Sequence, residues 1–332
     1  MIIAEIGQAH DGSLGMAHAY INALKNTGVQ AIKFQLHIAN AESSSAEPFR
    51  IPFSYEDATR FDYWKRMEFS LEQWRTLKAH CEADGMEFIC SPFSNAAVDV
   101  LEVLNVQQYK IGSGEVTNHL LLEKIATTKK PVILSSGMNN WNELDAAIQI
   151  FQEKNIHVSL LQCTTAYPSL PTQWGLNNIS MMKERYHIPI GYSDHSGDIF
   201  ACMAAAALGA DLFEFHVVFD QGMFGPDATS SIPMHKVKQL TTGISSVQKA
   251  MQHPVDKNEL AAMEDIKSMF EKSLAVNQYL PAGTVLQFEH LEAKKPSDMG
   301  IAAGRYKEII GRKLLHEKQQ WSFLNVADLN PE

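Results

Sequence analysis

The chain has 332 residues, of which 45% are hydrophobic and 20% are charged. This balance is typical of a globular protein and excludes a disordered or fibrous chain. The formal net charge of -10 argues against nucleic acid or an anionic membrane as the main partner, so an anionic substrate would need positive charge gathered inside a cleft.

The four cysteines, Cys81, Cys90, Cys163 and Cys202, include no C-x-x-C pair. The sequence therefore predicts neither a zinc ribbon nor a disulfide scaffold, and the cysteines are typical of small core residues. The first residues lack a basic stretch followed by an apolar one, and no apolar run reaches membrane-spanning length. We expect a cytoplasmic protein without a membrane partner.

Short apolar runs rich in Ile, Val and Phe alternate with helical patterns along most of the chain. Each run is typical of a strand that is buried on both faces. The predicted strands are residues 2–6, 31–36, 87–90, 108–111, 132–135, 158–162, 188–192 and 212–217.

Helix signals lie between these strands. Ser13 is placed to cap a helix that ends near Gly28, and Ser70 with Gln73 forms a capping-box pattern. Further helices are predicted at 199–208 and 234–251. Residues 39–69 form a long insertion that we predict to be irregular, and insertions of this length are often lids or binding loops.

Eight strand-then-helix units predict an α/β protein with a (β/α)8 TIM barrel. An open doubly wound sheet is the alternative, but the G-x-G-x-x-G loop typical of that fold is absent. The pattern changes near Gln252: residues 253–272 are polar with a short helix at best, and short strands with turns follow. We therefore predict a barrel domain at 1–270 and a small second domain at 271–332.

In a TIM barrel the active site is built at the C-terminal ends of the strands. Polar and charged residues recur at these ends. A single one is compatible with a solvated rim, but the residue types together favour a site. In chain order they are Glu5, Lys33, Gln35, Lys110, Ser113, Glu115, Ser135, Tyr167, Asp194, His195, Glu214 and His216.

Lys33 and Lys110 each follow apolar strand residues and should point into the barrel mouth. A buried lysine without an anionic partner is unfavourable and tends to lose its proton. With the hydroxyls of Ser113, Ser135 and Ser193, the two lysines could hold a phosphate and a carboxylate. The serines and glycines of these loops are also typical of ordinary turns.

His195 and His216 end the last two predicted strands, which should lie about 4.8 Å apart. Two imidazoles placed in this way can share one ion, and with oxygen ligands they suit Mn²⁺, Mg²⁺ or Co²⁺. The alternative is that each histidine only hydrogen-bonds at a strand end. We predict a divalent metal site, with Mn²⁺ as the first choice and with Asp194 and Glu214 as partners that orient the rings.

The roles of three carboxylates and one thiol remain open. Glu5 and Glu115 are candidates for proton transfer or hydroxyl binding, but a salt bridge to Lys33 or Lys110 is equally compatible with their positions. Asp227 could be only a helix cap or a turn residue. Cys163 lies at a strand end, but a thiolate nucleophile needs an adjacent base and the sequence shows none.

At these motifs the sequence resembles the sialic acid synthase family, which includes N-acetylneuraminate, legionaminate and pseudaminate synthases. The similarity covers nearly the whole chain, and the order and spacing of the motifs are more specific than any one of them. They are AEIG with His10 and Gly12, KFQ at 33–35, SPFS at 91–94, KIGSGE at 110–115, LSSGM at 134–138, CTTAYP at 163–168, GYSDHS at 191–196, EFH at 214–216 and GPD at 225–227.

The resemblance implies a TIM barrel followed by a small antifreeze-protein-like (SAF) domain, which covers the partner's barrel mouth in a domain-swapped homodimer. It implies that phosphoenolpyruvate is held by Lys33, Lys110, Ser113, Ser135 and Ser193, and the metal by His195 and His216. It implies that the sugar contacts Gln35, Glu115, Tyr167 and Asp227, and that Glu5 lies near the reacting carbons.

This chain departs from the family pattern at several positions. Phe215 stands where a basic residue is usual, and Ala9 stands where asparagine is frequent. Thr165 replaces an asparagine two residues before Tyr167, and Lys295 replaces an arginine that contacts the N-acyl group of the sugar. Thr165 and Lys295 are therefore candidate substrate contacts that bear on sugar identity.

The resemblance implies a metal-dependent synthase that joins phosphoenolpyruvate to N-acetylmannosamine or a related aldose and yields a nine-carbon keto acid and phosphate. One alternative is another metal-dependent barrel aldolase that acts on keto acids. A second is a sugar-binding barrel that has lost catalysis.

Overall fold

The computed structural model describes residues 1–259 and 263–331. The chain divides into two compact units, Met1–His253 and Pro254–Glu332, and each has its own hydrophobic core. The described residues between 254 and 270, which the sequence interpretation assigned to the barrel, group with the second unit. The assignment of the second unit to the SAF type stays a prediction.

The first unit is a closed barrel of eight parallel strands in sequential order, because β1 pairs with both β2 and β8. This confirms the predicted α/β TIM barrel. A short β9 (Ile232–Pro233) pairs parallel with the end of β8. The barrel strands are β1 (Ile2–Glu5), β2 (Ala31–Leu36), β3 (Glu87–Pro92), β4 (Tyr109–Ile111), β5 (Val132–Ser135), β6 (Val158–Cys163), β7 (Ile190–Asp194) and β8 (Phe213–Val218).

Helices connect the strands on the outside of the barrel. They are α1 (Leu14–Leu24), α2 (Ala39–Glu42), α3 (Arg60–Met67), α4 (Leu71–Ala83), α5 (Asn95–Val103), α6 (His119–Thr127), α7 (Trp141–Gln152), α8 (Asn177–Tyr186), α9 (Phe200–Ala207) and α10 (Met234–Gln252). The predicted caps are confirmed: the Ser13 side chain accepts from the Met16 amide, and Ser70 with Gln73 forms a complete capping box. None of the helices within the described ranges has the length and apolar composition needed to cross a bilayer.

The insertion at 39–69 is more ordered than predicted, since it contains α2 and α3. Thr59 and Asp62 form a capping box at the start of α3, so a start signal was present in the sequence. The buried residues Ala39, Tyr63, Trp64 and Met67 form a small apolar cluster, against which Phe49 and Phe53 pack. The prediction of an irregular segment was therefore wrong for its two ends.

The second unit contains α11 (Glu264–Phe270), β10 (Ser273–Val276), β11 (Leu291–Lys294) and α12 (Tyr306–Ile309). Strands β10 and β11 pair antiparallel, and isolated bridges such as Leu280 with Lys318 join other extended segments. This agrees with the predicted short strands and turns. The predicted polar stretch at 253–272 includes residues 260–262, which lie outside the described residues.

Candidate active site

A cleft of about 410 Å³ opens at the C-terminal ends of the barrel strands. Asp194, which was predicted to orient a histidine ring, does not line the cleft. Every residue predicted to act in catalysis or to bind substrate or metal, except Lys295, does line it, so the structure brings together side chains that are spread over more than 200 positions of the chain. They are Glu5, Lys33, Gln35, Lys110, Ser113, Glu115, Ser135, Thr165, Tyr167, Ser193, His195, His216 and Asp227. Lys295 lies in the second unit, where its ammonium is 4.5 Å from the centroid of the Phe270 ring.

The period-two pattern of the strands explains why these residues meet. One apolar layer of the barrel interior comes from five strands and from the residue that directly precedes β8: Ile3, Ala31, Ile89, Ile133, Leu161 and Leu212. Two residues further along, each strand points to the same side again. Those next positions are Glu5, Lys33, Ser91, Ser135, Cys163 and Glu214. The barrel interior therefore changes from an apolar layer to a polar layer over two residues of each strand. The polar layer forms the floor of the cleft.

Two buried lysines share a carboxylate at this floor. Lys33 Nζ lies 2.8 Å from Glu5 Oε1 and 3.3 Å from Glu214 Oε1. Lys110 Nζ donates to Ser135 Oγ at 2.7 Å and lies 3.4 Å from Glu214 Oε1. Burial opposes the charge on Lys33, but Glu214 and Glu5 outweigh it and raise its pKa. Burial lowers the pKa of Lys110 despite the same Glu214.

Glu5 is held by three donors. Its Oε1 accepts from Gln35 Nε2 at 2.7 Å as well as from Lys33, and its Oε2 lies 3.0 Å from His216 Nε2. Register accounts for this, because β1 pairs Glu5 with Lys33 on one side and with His216 on the other. Burial works against the Glu5 carboxylate, yet His216 and Lys33 keep its pKa well below the usual range. The predicted salt bridge to Lys33 is therefore present within the cleft itself.

Two buried oxygens at the floor have no hydrogen-bond partner within the described part of the chain. They are Ser91 Oγ and Glu214 Oε2, and both residues line the cleft. Buried polar atoms are nearly always hydrogen-bonded, so a bound ligand or water would complete these two. Ser91 was missed as a site residue although it begins the SPFS motif at the end of β3.

His195 and His216 lie side by side, with ring centroids 5.2 Å apart. His195 Nδ1 donates to the Thr164 carbonyl at 2.8 Å, which leaves its Nε2 for the cleft. Burial alone lowers the pKa of His195, but Cys163 and the Thr164 hydrogen bond reverse this and raise it to about 9. The orienting partners differ from those predicted. Asp194 instead accepts from the amide and hydroxyl of Ser196.

The histidine pair offers donor types that suit a divalent ion. Two imidazoles and the adjacent Glu5 carboxylate are ligand types that Mn²⁺, Mg²⁺ or Co²⁺ accepts. In the described ranges, no group of three or more His, Cys, Asp or Glu side chains is arranged to hold an ion. The donor types of His195 and His216 alone fit an ion whose remaining ligands would come from substrate or water, and metal binding stays a prediction.

Cys163 has an imidazole beside it that the sequence did not reveal, but the nitrogen that faces its thiol carries the hydrogen donated to Thr164 and is not a base. Its Sγ lies 3.9 Å from His195 Nδ1, and it lines the cleft rather than the core. Burial alone raises the pKa of Cys163, but His195 and Lys110 reverse the effect and lower it. The sequence could not reveal this pair, because its members lie on different strands.

The outer wall is built largely by residues that sequence reasoning missed. The ring of His37 is stacked between Trp64 at 3.8 Å and Phe93 at 4.5 Å, and its nitrogens contact Glu42 and Gln35. Arg50 and Arg60 come from the insertion. The length of the insertion predicted a binding loop, but no sequence motif indicated which of its side chains would line the cleft.

The two remaining carboxylates lie away from the lysines. Glu115 Oε2 accepts from Asn118 Nδ2 at 2.7 Å, so its alternative as a lysine salt bridge is wrong, and burial raises its pKa. Asp227 begins a short 3-10 turn without capping it through its side chain. Its carboxylate accepts instead from Arg50 Nη2 at 2.7 Å, which contradicts the alternative of a simple cap residue.

Comparison with known proteins gives a consistent result. A model of the NeuB family matches residues 20–271. The N,N'-diacetyllegionaminic acid synthase of Campylobacter jejuni is 33% identical over 94% of this chain and 95% of its own length. The human N-acetylneuraminate-9-phosphate synthase is 32% identical over 95% of this chain and 88% of its own length. A crystal structure of the N-acetylneuraminic acid synthetase of Leptospira borgpetersenii, in complex with citrate, superposes with a TM-score of 0.70 at 28% identity and covers 80% of this chain and 91% of that chain.

Proposed function

Because this chain belongs to the NeuB family, we propose that it is a nonulosonic acid synthase. It joins phosphoenolpyruvate to N-acetylmannosamine or a related aldose and releases phosphate. The observation that carries the proposal is the floor of the cleft, where two buried lysines and several serine hydroxyls lie directly beside a pair of histidines. An ordinary barrel rim does not bury two lysines.

Phosphoenolpyruvate carries a phosphate and a carboxylate, and the floor offers donors for both. Lys33 and Lys110 supply charge-assisted hydrogen bonds, which are the stronger kind. Ser113, Ser135 and Ser193 supply hydroxyls. Since Glu214 lies between the two lysines, an arriving anion competes with it for them. The unpartnered Ser91 hydroxyl adds a further donor.

The chemistry forms one carbon–carbon bond. The methylene carbon of phosphoenolpyruvate attacks the aldehyde carbon of the open-chain aldose, water adds to the carbon that carries the phosphate, and that carbon then expels phosphate to become the ketone. A divalent ion held by His195 and His216 would supply Lewis-acid polarisation when bound. Glu5, kept ionised by Lys33 and His216, accepts one proton of the water, which then passes to the former aldehyde oxygen to make it a hydroxyl. The second proton of the water leaves with the phosphate when the ketone forms. Gln35, Glu115, Thr165, Tyr167 and Asp227 orient the hydroxyls of the sugar.

The test is phosphate release. The full-length protein is incubated with phosphoenolpyruvate, Mn²⁺ and a panel of N-acyl and plain hexoses, and phosphate is measured together with the nine-carbon keto acid. Equal release with and without an aldose would contradict a synthase. Condensation of pyruvate in place of phosphoenolpyruvate would identify an aldolase, and binding of sugar without release would identify a barrel that has lost catalysis.

Metal dependence is tested separately. Chelation should abolish turnover and Mn²⁺ should restore it, while the double variant His195→Ala/His216→Ala should lose Mn²⁺ binding measured by calorimetry. The matched control is His18→Ala/His80→Ala, because these rings also meet, with Nδ1 atoms 2.8 Å apart, but lie outside the cleft. Mn²⁺ binding that survives in the first double variant rules out the histidine pair as the site.

A further inference from the structure

Arg50 belongs to none of the motifs that carry the resemblance, yet it lies against two predicted sugar contacts. Its Nη2 donates to Asp227 Oδ1 at 2.7 Å and to the Pro226 carbonyl at 2.9 Å. Its guanidinium carbon lies 4.0 Å from the centroid of the Tyr167 ring. One side chain of the insertion thus touches both the loop after β8 and the loop after β6.

Tyr167 continues this contact into the centre of the cleft. Its ring stacks on His195 with centroids 4.2 Å apart and an angle of 27° between the planes. It also meets His216 edge-on at 6.3 Å. Arg50, Tyr167 and His195 therefore form a column that runs from the insertion to the histidine pair.

The Asp227 carboxylate takes no part in holding its own 3-10 turn. Its backbone carbonyl accepts from Ser231 Oγ at 2.7 Å, whereas its side chain makes no capping bond to its own turn. Within the described residues, the Asp227 carboxylate accepts a hydrogen bond from Arg50 and forms an ion pair with it. The Asp227 side chain is 14% exposed and that of Arg50 is 37% exposed, so solvent screens the charges and the directed contacts of the guanidinium matter more than the ion pair itself.

The segment that carries Arg50 is anchored. Phe49 and Phe53 flank the arginine and pack on the cluster of Ala39, Tyr63, Trp64 and Met67. Since the flanking residues are held, the guanidinium can restrict the Tyr167 ring by stacking and the Asp227 carboxylate by a directed hydrogen bond. Lysine could supply the charge but not the planar fork.

We propose that Arg50 is a positioning residue for the aldose, which fixes Tyr167 and Asp227 in the orientation that binds the sugar. The inference rests on the proposed function. Arg50 contacts Asp227, the Pro226 carbonyl and Tyr167, so its loss should act on the aldose and leave the phosphoenolpyruvate site intact.

The experiment compares Arg50→Ala and Arg50→Lys with the wild type under Mn²⁺ and phosphoenolpyruvate. For Arg50→Ala we expect kcat/KM for the aldose to fall about tenfold to a hundredfold, while KM for phosphoenolpyruvate stays within about twofold. Arg50→Lys should recover only part of this loss. Arg75→Ala is the control, because that arginine makes an exposed ion pair with Glu72 on α4 and should change neither constant.

A double-mutant cycle shows whether Arg50 acts through Asp227. If it does, Arg50→Ala combined with Asp227→Asn should cost clearly less than the sum of the two single effects on kcat/KM for the aldose. Additive effects, or equal increases of KM for both substrates, would overturn the inference while leaving the synthase assignment untouched. A wild type that releases no phosphate with any aldose overturns the proposed function and this inference with it.

Discussion

At the scale of single residues, the site depends on charges that are buried but balanced. Lys110 is 2% exposed, and its ammonium contacts the Ser135 hydroxyl and the Glu214 carboxylate. Burial that lowers the pKa of Lys110 also makes an incoming anion a favourable partner. The same lysine is therefore stabilised by the substrate that it binds.

Replacement of this lysine gives the first prediction. Lys110→Met keeps the packing but removes one charge-assisted contact, so KM for phosphoenolpyruvate should rise by a factor that corresponds to about 2 kcal/mol, or about thirtyfold. Steady-state kinetics with a saturating aldose measures this, and calorimetry checks that Mn²⁺ affinity is kept. Lys130→Met, which removes a partly exposed ion pair with Glu102, serves as the control. An unchanged KM for phosphoenolpyruvate would make Lys110 a structural ion-pair partner only.

His10 gives a prediction about pH. It is 2% exposed, and its Nδ1 accepts from the Gly12 amide at 3.1 Å. Burial, with smaller effects from His37 and Arg66, lowers the pKa of His10 to about 3. The unfolded chain therefore binds a proton that the folded chain does not bind between pH 6.5 and about pH 3, and stability is lost on acidification across this window.

The free energy of unfolding should reflect this proton. His10 should contribute a loss of about 2 kcal/mol between pH 7 and pH 5. Asparagine keeps an acceptor for the Gly12 amide, so His10→Asn should reduce this acid loss by a comparable amount in urea titrations at the two pH values. His157→Asn, at an exposed position, should leave the loss unchanged. If His10→Asn shows the same acid loss as the wild type, His10 is not a source of it.

At the scale of elements, the loop between β5 and α7 brings a backbone close to the site. A Cβ added at Gly137 would lie 2.5 Å from Thr165 Oγ1 and 2.8 Å from Ser113 Oγ. Both partners line the cleft, so any side chain at this position must displace a hydroxyl that we propose to contact substrate. The glycine of the LSSGM motif is explained by this close approach.

Gly137→Ala should therefore lower kcat/KM by at least about tenfold while the barrel remains folded. Kinetics and thermal unfolding, measured together, separate the two effects. Gly15→Ala is the matched control, because a Cβ there meets only Ser13 Oγ at 3.9 Å and alanine favours the helix by up to about 1 kcal/mol. Equal activity of Gly137→Ala and the wild type would mean that the loop can move to accommodate the methyl group without disturbing the hydroxyls of Thr165 and Ser113.

The elements show what the sequence could predict. Apolar runs located all eight barrel strands because a strand buried on both faces leaves a continuous apolar signal. Their ends were less certain, as β7 runs from Ile190 to Asp194 rather than over 188–192. Contacts across the barrel, such as Cys163 with His195 or Arg50 with Tyr167, depend on register and on the path of the insertion. The sequence pattern reveals neither the strand register nor the path of the insertion, so sequence analysis did not predict these contacts.

At the scale of the whole molecule, each of the two units has a hydrophobic core of its own. The core of the first unit contains buried residues from Ile2 to Ile244, and the core of the second contains residues from Leu274 to Leu329. All the cleft residues belong to the first unit. The overall charge is -10, and the two lysines of the cleft floor are matched by the carboxylates of Glu5 and Glu214, so an anionic substrate gains their positive charge only by competing with these carboxylates.

This separation allows a test of the dimer that the resemblance implies. A chain that ends at His253 keeps the complete barrel, so it should fold cooperatively and bind phosphoenolpyruvate and Mn²⁺ like the full chain. It should nevertheless lose aldose turnover, because the small domain is expected to cover the partner's barrel mouth. Circular dichroism, calorimetry and phosphate release measure these three properties, and light scattering should show the full chain as a dimer.

A complementation experiment makes the last prediction specific. The truncated chain has an intact cleft but no second unit, whereas full-length Lys110→Met has a second unit but a weakened cleft. If the second unit of one protomer serves the cleft of the other, mixing the two proteins should restore turnover above the sum of their separate rates, with the KM for phosphoenolpyruvate of the wild type. Full activity of the truncated chain alone, or a strictly monomeric full-length protein, would contradict the exchange. Restoration requires mixed dimers, so it should increase with protein concentration and saturate as the full-length variant comes into excess.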